Sequence, residues 1–312
     1  MNHTTEPNNY LYIYTCHEEE RALCELELRT LFGQSPINHY VISDLKLDPS
    51  RSPFIKMRVA LQYKAASIEQ LVEQANRIDL KGSTFKVIYV ETDLKVDYNE
   101  QRALEKKVGY QIKGKAEMRT PERLFGIAQI GGQWVLGDCL LSEPKWLFHN
   151  EKPQHYSTAL STRVARAVAN IAVPDPNGVK AIDPCCGIGT VLIEALSMGI
   201  DIVGYDINPL AVRGARMNLN HFQMPNVVSI GDVRTLIGDY DAAIIDMPYN
   251  LCSVISAEEQ LDMLKGVRKL ASKAVVVTTE TIDNVISEAG FSIQDRCHVS
   301  KGRFTRQILV CS

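Results

Sequence analysis

The sequence predicts an α/β protein in which a doubly wound, mostly parallel sheet fills the C-terminal half and a smaller α+β region precedes it. Three observations lead there. Short apolar runs alternate with amphipathic stretches from Val179 onward, a glycine-rich turn joins the first of these runs to a helix, and the last two runs lie too close together for a helical crossover. Of the 312 residues 45% are hydrophobic and 23% charged, the balance of a folded chain with sizeable cores rather than a disordered one.

In the N-terminal region the pattern predicts strands at Tyr10–Tyr14 and Ile55–Tyr63 with a helix over Glu18–Leu31 between them. A helix at Ile68–Asn76, a strand at Thr84–Glu91 and a helix at Asp97–Lys107 follow, and then two apolar runs, Leu124–Ile130 and Trp134–Leu141, broken by Gly131 and Gly132. This mixture reads as a domain over residues 1–150, with a second domain over residues 151–312. The second opens on an amphipathic helix, Thr158–Val173. Strands are then predicted at Val179–Asp183, Ile202–Asp206, Val227–Gly231, Ala242–Asp246 and Ala274–Thr278. Helices fit between and after them at Gly189–Met198, Pro209–His221, Ala257–Ser272 and Ile282–Ala289, with Pro209 suited to a first helical turn. Phe291–Val299 and Phe304–Cys311 are separated only by Ser300–Arg303, which predicts an antiparallel hairpin.

No run is a convincing membrane span, and Met1–Asn9 lacks the basic start and apolar stretch of a secretory signal, so a cytoplasmic protein is expected. The eight cysteines (16, 24, 139, 185, 186, 252, 297, 311) form no CxxC pair and have no histidine at zinc-ligand spacing, which predicts free thiols and no metal. A net charge of −3 argues against a protein that coats nucleic acid by charge alone. Locally the balance differs. Between Arg102 and Arg123 seven basic residues (Arg102, Lys106, Lys107, Lys113, Lys115, Arg119, Arg123) face three acids, a pattern shared by solvated helix faces and phosphate-binding surfaces.

The chemistry concentrates at the ends of the predicted parallel strands. Asp183, Pro184, Cys185, Cys186, Gly187, Ile188, Gly189 and Thr190 follow the first of them and open a helix. Gly187 and Gly189 allow a sharp turn that brings backbone amides close to a ligand, while the leading carboxylate Asp183 disfavours a phosphate and suits a cofactor with a cationic sulfonium and an amino group. Asp206 ends the second strand and can accept both hydroxyls of a ribose; Asp232 ends the third and can accept a proton from an adenine amine, with Ile207 and Val233 flanking the ring. Each Asp alone also fits a helix N-cap. NAD competes at this stage, because it binds a similar turn with an acid about 20 residues on.

The fourth strand separates the two. Asp246-Met247-Pro248-Tyr249 resembles the [DN]-P-P-[YF] motif of amino-group methyltransferases acting on adenine N6, cytosine N4, guanine N2 or a glutamine amide. An exocyclic amine is a poor nucleophile because its lone pair is delocalised. Two acceptors aimed at its hydrogens, the Asp246 carboxylate and the carbonyl of Met247, favour a pyramidal nitrogen, and Tyr249 is placed to stack on a flipped base. Met247 stands where proline is usual, at a position whose role belongs to the main chain.

Asp183–Ala195 is similar to the DPFCGTGTxLIEA run of the THUMP-domain tRNA guanine-N2 methyltransferases of the guanosine-10 and guanosine-6 type. Arg123–Gly126, Trp146, Lys152-Pro153, His155–Ser157 and Arg163–Ala172 look like that family's linker and first methyltransferase helix. The resemblance covers about Arg123 to Tyr249 and is weak before residue 120. It implies a Rossmann-like class I methyltransferase domain, S-adenosylmethionine as cofactor, tRNA as substrate, and a THUMP-like RNA-binding region that includes the Arg102–Arg123 stretch. In that family a ferredoxin-like portion accompanies the THUMP domain, and order and length assign Ile55–Tyr63 and Ile68–Asn76 to it. Three residues have plainer roles beside the functional ones: Trp146 as packing, Tyr156-Ser157 as a helix cap, Arg163 as a surface ion pair. A DNA or ribosomal-RNA amino methyltransferase is the enzymatic alternative, and an RNA-binding protein with a degenerate methyltransferase domain the non-enzymatic one.

Overall fold

The computed structural model describes residues 9–156, 159–248, 255–301 and 304–312. They fall into two compact units, Met1–Thr15 with Pro36–Glu143, and Cys16–Ser35 with Pro144–Ser312. The division departs from a cut at residue 150 in one informative way. After strand β1 (Tyr10–Tyr14), helix α1 (Arg21–Phe32) joins the second unit, although it lies within the first 150 residues. Its Glu27 is wholly buried and accepts a hydrogen bond from Asn170 Nδ2 at 2.6 Å, and Arg29 makes a bidentate pair with Asp295 at 3.0–3.1 Å. A carboxylate withdrawn from water is tolerated only with such partners, so these long-range pairs fix where α1 packs.

The first unit is one seven-stranded sheet. Chain order runs β2 (Tyr40–Ser43), β3 (Ile55–Ala65), α2 (Ile68–Ala75), β4 (Asp79–Tyr89), α3 (Tyr98–Gly109), β5 (Lys113–Ala116), β6 (Arg123–Ile130) and β7 (Gln133–Leu141), and the strands lie in the order β2-β1-β3-β7-β6-β4-β5. The sequence reading missed β2 and β5, both four-residue edge strands too short to show a period. Ser67 and Asp97 cap α2 and α3 by accepting from the amides of Gln70 and Glu100. Leu71 and Ala75 of α2 and Val108 of α3 then close a core with Phe85, Phe125, Ile127 and Leu136 of the sheet. The portions assigned separately by order and length to ferredoxin-like and THUMP-like regions thus share a continuous sheet through the β3–β7 pairing.

In the second unit, α4 (Thr162–Ala172) is capped by Ser161 and buried at every position except Arg163. Lys273 Nζ donates to the carbonyls of Ile171 and Ala172 at 3.1 and 2.8 Å, satisfying carbonyls at the buried C-terminus of that helix. The elements β8 (Lys180–Asp183), α5 (Thr190–Ser197), β9 (Asp201–Asp206), α6 (Pro209–His221), β10 (Val228–Ile230), β11 (Tyr240–Asp246), α7 (Ala257–Leu270), β12 (Ala271–Thr278) and α8 (Asp283–Glu288) follow the predicted alternation. Strands β13 (Ile293–Lys301) and β14 (Phe304–Cys311) form the antiparallel hairpin, in the sheet order β10-β9-β8-β11-β12-β14-β13. Ile182, Ala243, Ile245 and Val276 on the strands pack with Leu264, Val267 and Ile286 on the helices, all essentially without solvent exposure.

Helix α7 meets the turn after β10 through Gly266, where a Cβ would lie 2.3 Å from the Val233 carbonyl oxygen. Gly266→Ala is predicted to force the helix outward and cost roughly 1–3 kcal/mol as an overpacked contact. A lower urea midpoint with an unchanged m-value is the expected result; a midpoint equal to that of the wild type contradicts the close approach.

Candidate active site

Strand order reverses between β8 and β11, and in open α/β sheets such a reversal leaves a crevice at the carboxyl ends of the strands. A cavity of about 500 Å³ lies there, lined by the ends of β8, β9 and β11, the glycine loop and the start of α7. Of the sequence-predicted residues, Asp183, Pro184, Cys185, Gly187 and Thr190 line it from the first loop, and Asp206, Ile207, Asp232 and Val233 from the next two strand ends. Asp246, Met247 and Pro248 line it from the fourth. Tyr249 lies outside the described residues, as do Ser157 and Cys252.

The loop is held by its backbone conformation. Gly187 and Gly189 have φ of +54° and +80°, values an L side chain disfavours. Only Gly187 reaches the cavity; Gly189 starts α5 and packs on α6, where a Cβ would stand 3.2 Å from the Cβ of Ala215. Its part in the structure is helix packing rather than lining. The open loop lets its amides serve the acids. Cys185 N donates to Asp183 Oδ1 at 3.2 Å, and Gly187 N and Asn208 N donate to the two oxygens of Asp206 at 2.8 Å each.

The four acids differ in environment. Asp183 is buried, and loss of hydration together with the charges of Asp246 and Asp206 pushes its carboxyl well above the usual range. Burial raises Asp246 to about 7 against the opposing pull of the Arg306 charge. Asp246 Oδ1 and Thr190 Oγ1 are buried polar atoms without a hydrogen-bond partner among the described residues. Asp232 is held the other way. Arg234 grips it with Nε and a terminal nitrogen at 2.5–3.0 Å, which lowers its pKa. Ile207 is 62% exposed at the rim, while Val233 is buried.

Sequence reasoning missed Tyr156, Ala159 and Leu160 from the segment before α4, and Ile255, Glu259 and Met263 around the start of α7. The last two sit one turn apart on α7, a helical spacing that reads as ordinary amphipathicity until the fold turns it toward the crevice. Trp146 is buried, and Arg163 pairs with Glu20 at 2.7 Å while lying over the Trp146 ring, so both take their plainer roles. The basic stretch belongs to the other unit, where Arg102, Lys107 and Arg123 pair with Glu105, Glu69 and Asp138 at 2.5–2.8 Å. Lys106, Lys113, Lys115 and Arg119 are exposed with no ion pair among the described residues. No helix among the described residues is long and apolar enough to cross a membrane. Seven of the cysteines are described, all as free thiols.

Residues 150–283 match the protein family described as “UPF0020: RMKL-like, methyltransferase domain”. The chain thus carries a methyltransferase domain over these residues. Among similar proteins, the tRNA (guanine(10)-N2)-dimethyltransferase of Methanothermobacter thermautotrophicus is 28% identical over 78% of this chain and 79% of its own. The protein of that name from Pyrococcus abyssi is 32% identical, over 34% of this chain and 33% of its own. TrmN from Thermus thermophilus is a solved structure with 17% identity and a TM-score of 0.49, covering 97% of this chain and 99% of its own. The cavity of the methyltransferase fits the cofactor on chemical grounds: its size is that of a small-molecule site, three carboxylates suit a cationic sulfonium and an ammonium, and Thr190 Oγ1 and Asp246 Oδ1 are left for a ligand.

Asp246 makes stability pH-dependent with a definite sign. Its carboxyl binds a proton more tightly in the folded state, at about 7, than at the ordinary 3.8. The stabilisation from protonation is therefore complete below 3.8 and lost as pH rises through about 7. Asp246→Asn is predicted to flatten the stability profile across this window and to exceed the wild type in urea midpoint at higher pH. Parallel profiles for the two proteins refute the buried, penalised carboxylate.

Proposed function

We propose that the methyltransferase transfers the methyl group of S-adenosylmethionine to the exocyclic N2 amine of guanine in tRNA. The observation that carries this reading is Asp246: a buried carboxylate oxygen without a partner among the described residues, on a residue that lines the cavity and begins an amino-methyltransferase-like tetrapeptide. Support for guanine N2 and tRNA comes from the Methanothermobacter relative, which matches most of both chains. Such a substrate accords with a cytoplasmic enzyme.

In this reading Asp183 holds the cofactor's amino group, Pro184, Cys185 and Gly187 form the wall beside it, and Gly189 and Thr190 supply the α5 terminus. Asp206 accepts the ribose hydroxyls with the lone pairs that its two loop amides leave free. Asp232 has room for the adenine amine beside Arg234, because a carboxylate offers about four acceptor positions. Ile207 and Val233 take the ring faces, which accounts for an isoleucine left exposed at a cavity rim.

When bound, S-adenosylmethionine supplies a methyl carbon made electrophilic by its sulfonium. The chain's own groups prepare the amine. The Asp246 carboxylate and the Met247 carbonyl accept its two hydrogens, so that the nitrogen lone pair turns from the ring toward the methyl carbon and the positive charge growing on nitrogen is compensated. Met247 retains this main-chain role because its side chain is buried in the core and its amide donates to Val277 O at 2.8 Å. Those contacts restrain the backbone where a proline usually does. Pro248 keeps the turn, and Tyr249 stacks on the base.

The first 150 residues, apart from α1, are assigned to presenting the RNA as a THUMP-like region. Within the basic stretch Lys106, Lys113, Lys115 and Arg119 are assigned to phosphates first, because the others already hold carboxylates; Arg102, Lys107 and Arg123 are secondary contacts.

The identifying experiment is mass spectrometry of nucleosides from tRNA incubated with the protein and cofactor. N2-methylated guanosine is expected, and methyladenosine as the sole product overturns the assignment of the base. Asp246→Asn is predicted to lower kcat by about 10²–10³ with cofactor affinity changed less than about threefold. The wild-type kcat/KM should rise with pH to a plateau through an apparent pKa of about 7, set by ionisation of Asp246 in the free protein. A normal rate for the variant removes Asp246 from catalysis. Replacing Lys113 and Lys115 together by Ala should reduce the salt dependence of tRNA binding by about two counterions; an unchanged slope places the RNA elsewhere.

A further inference from the structure

The segment between Lys145 and Tyr156 holds no catalytic motif, yet hydrogen bonds join it to three helices of the methyltransferase unit. His149 Nδ1 lies 2.5 Å from Oε1 of the wholly buried Glu194 on α5, whose other oxygen accepts from Arg166 of α4 at 2.8 Å. Asn150 Oδ1 accepts from Thr162 Oγ1 of α4 at 2.7 Å. At Gln154 the main chain forms a reciprocal pair with the side chain of Asn218 on α6. Gln154 N donates to Asn218 Oδ1 at 2.8 Å, and Asn218 Nδ2 donates back to Gln154 O at 3.2 Å. The same Nδ2 also donates to Ile188 O in the glycine loop at 3.0 Å.

Asn218 has no solvent exposure, and both its oxygen and its nitrogen are engaged. One turn earlier on α6, a Cβ on Gly214 would stand 3.3 Å from Ile188 Cγ2 and 3.7 Å from Gln154 Cβ, so the helix meets both partners of Asn218 at contact distance. Ile188 lines the cavity. So does Tyr156, two residues beyond Gln154, with its main-chain carbonyl accepting from Ala159 N at 3.2 Å.

We propose that Asn218 is a positioning residue for the cofactor: its amide ties the glycine loop to the segment before α4 and so sets Tyr156 as a wall of the cofactor cavity. The residue type follows from the three bonds. They require one acceptor and two donor hydrogens in a single plane, which a primary amide provides. A carboxylate there would face two carbonyl oxygens, and alanine would leave a buried amide and two carbonyls unpaired. Asn218 does not line the cavity itself, so its effect on a ligand passes through Ile188 and Tyr156.

The proposal rests on the reading that this cavity binds S-adenosylmethionine, and the test separates the two. S-adenosylhomocysteine is titrated calorimetrically into the wild type, Asn218→Ala, Tyr156→Ala and the double variant. Each single change is expected to weaken binding about tenfold, and the double variant to be about as weak as the weaker single, because the two residues act in one arrangement. Ile286→Ala, a core change on α8 away from the cavity lining, shows what lost stability alone does; its affinity should stay at the wild-type level while its thermal midpoint falls. Should Asn218→Ala fail to fold, Gln154→Pro removes the amide that Asn218 accepts without touching α6, and is expected to weaken binding by about three- to tenfold. Unchanged affinity in a folded Asn218→Ala or Gln154→Pro, or effects that multiply in the double variant, overturns the positioning role. A wild type that does not bind S-adenosylhomocysteine instead removes the cofactor reading on which the proposal rests.

Discussion

Carboxylates gathered in a crevice sheltered from water are the constraint on which the methyltransferase unit depends. Asp183, Asp206 and Asp246 end three neighbouring strands, and their mutual repulsion adds to the loss of hydration at Asp183. Like charges in a low-dielectric site are tolerated only with compensation, and the chain supplies part of it from backbone amides at Cys185, Gly187 and Asn208. The left-handed Gly187 is what lets one of those amides point inward. What remains is a site whose electrostatics favour a cationic ligand, which supports the sulfonium cofactor proposed for it.

The remainder of the unit keeps that crevice in shape. Gly266 lets α7 lie against the carbonyl of Val233 at the cavity wall, and Asn218 holds the glycine loop from behind. Glu194, wholly buried on the helix that the loop opens, is answered by Arg166 and His149. Removing one partner of such a pair strands a charge, which makes these residues more sensitive than their distance from the ligand suggests. Helix α1 belongs to this support despite its early position in the chain. Through Glu27 and Arg29 it is tied to α4 and β13.

The tetrapeptide proposed as catalytic illustrates how a departure from a motif can be absorbed. A proline at the second position restricts the backbone locally, whereas Met247 is restrained by burial of its side chain and by an amide hydrogen bond to β12. In the N-terminal unit local charge says less than it promises. Three of the seven basic residues of the Arg102–Arg123 stretch are engaged by carboxylates, two of which, Glu69 and Asp138, lie outside the stretch.

The sequence by itself determined the parallel sheet, its terminal hairpin and the acids at successive strand ends. Periodicity and turn chemistry are local, and a strand end followed by a helix places its last residue in a predictable position. Motif spacing likewise identified about half of the cavity lining. Tertiary structure alone decided the rest: that α1 leaves its sequence neighbours, that Gly189 packs on Ala215 instead of lining the cavity, and that Tyr156, Glu259 and Met263 face it. It also decided that Asp246 keeps an oxygen unpaired among the described residues whereas Asp232 is held by Arg234. The physical reason is common to all of these. Burial, ion pairing and pKa depend on which distant groups the fold brings within a few ångströms, and no local pattern in the chain carries that information.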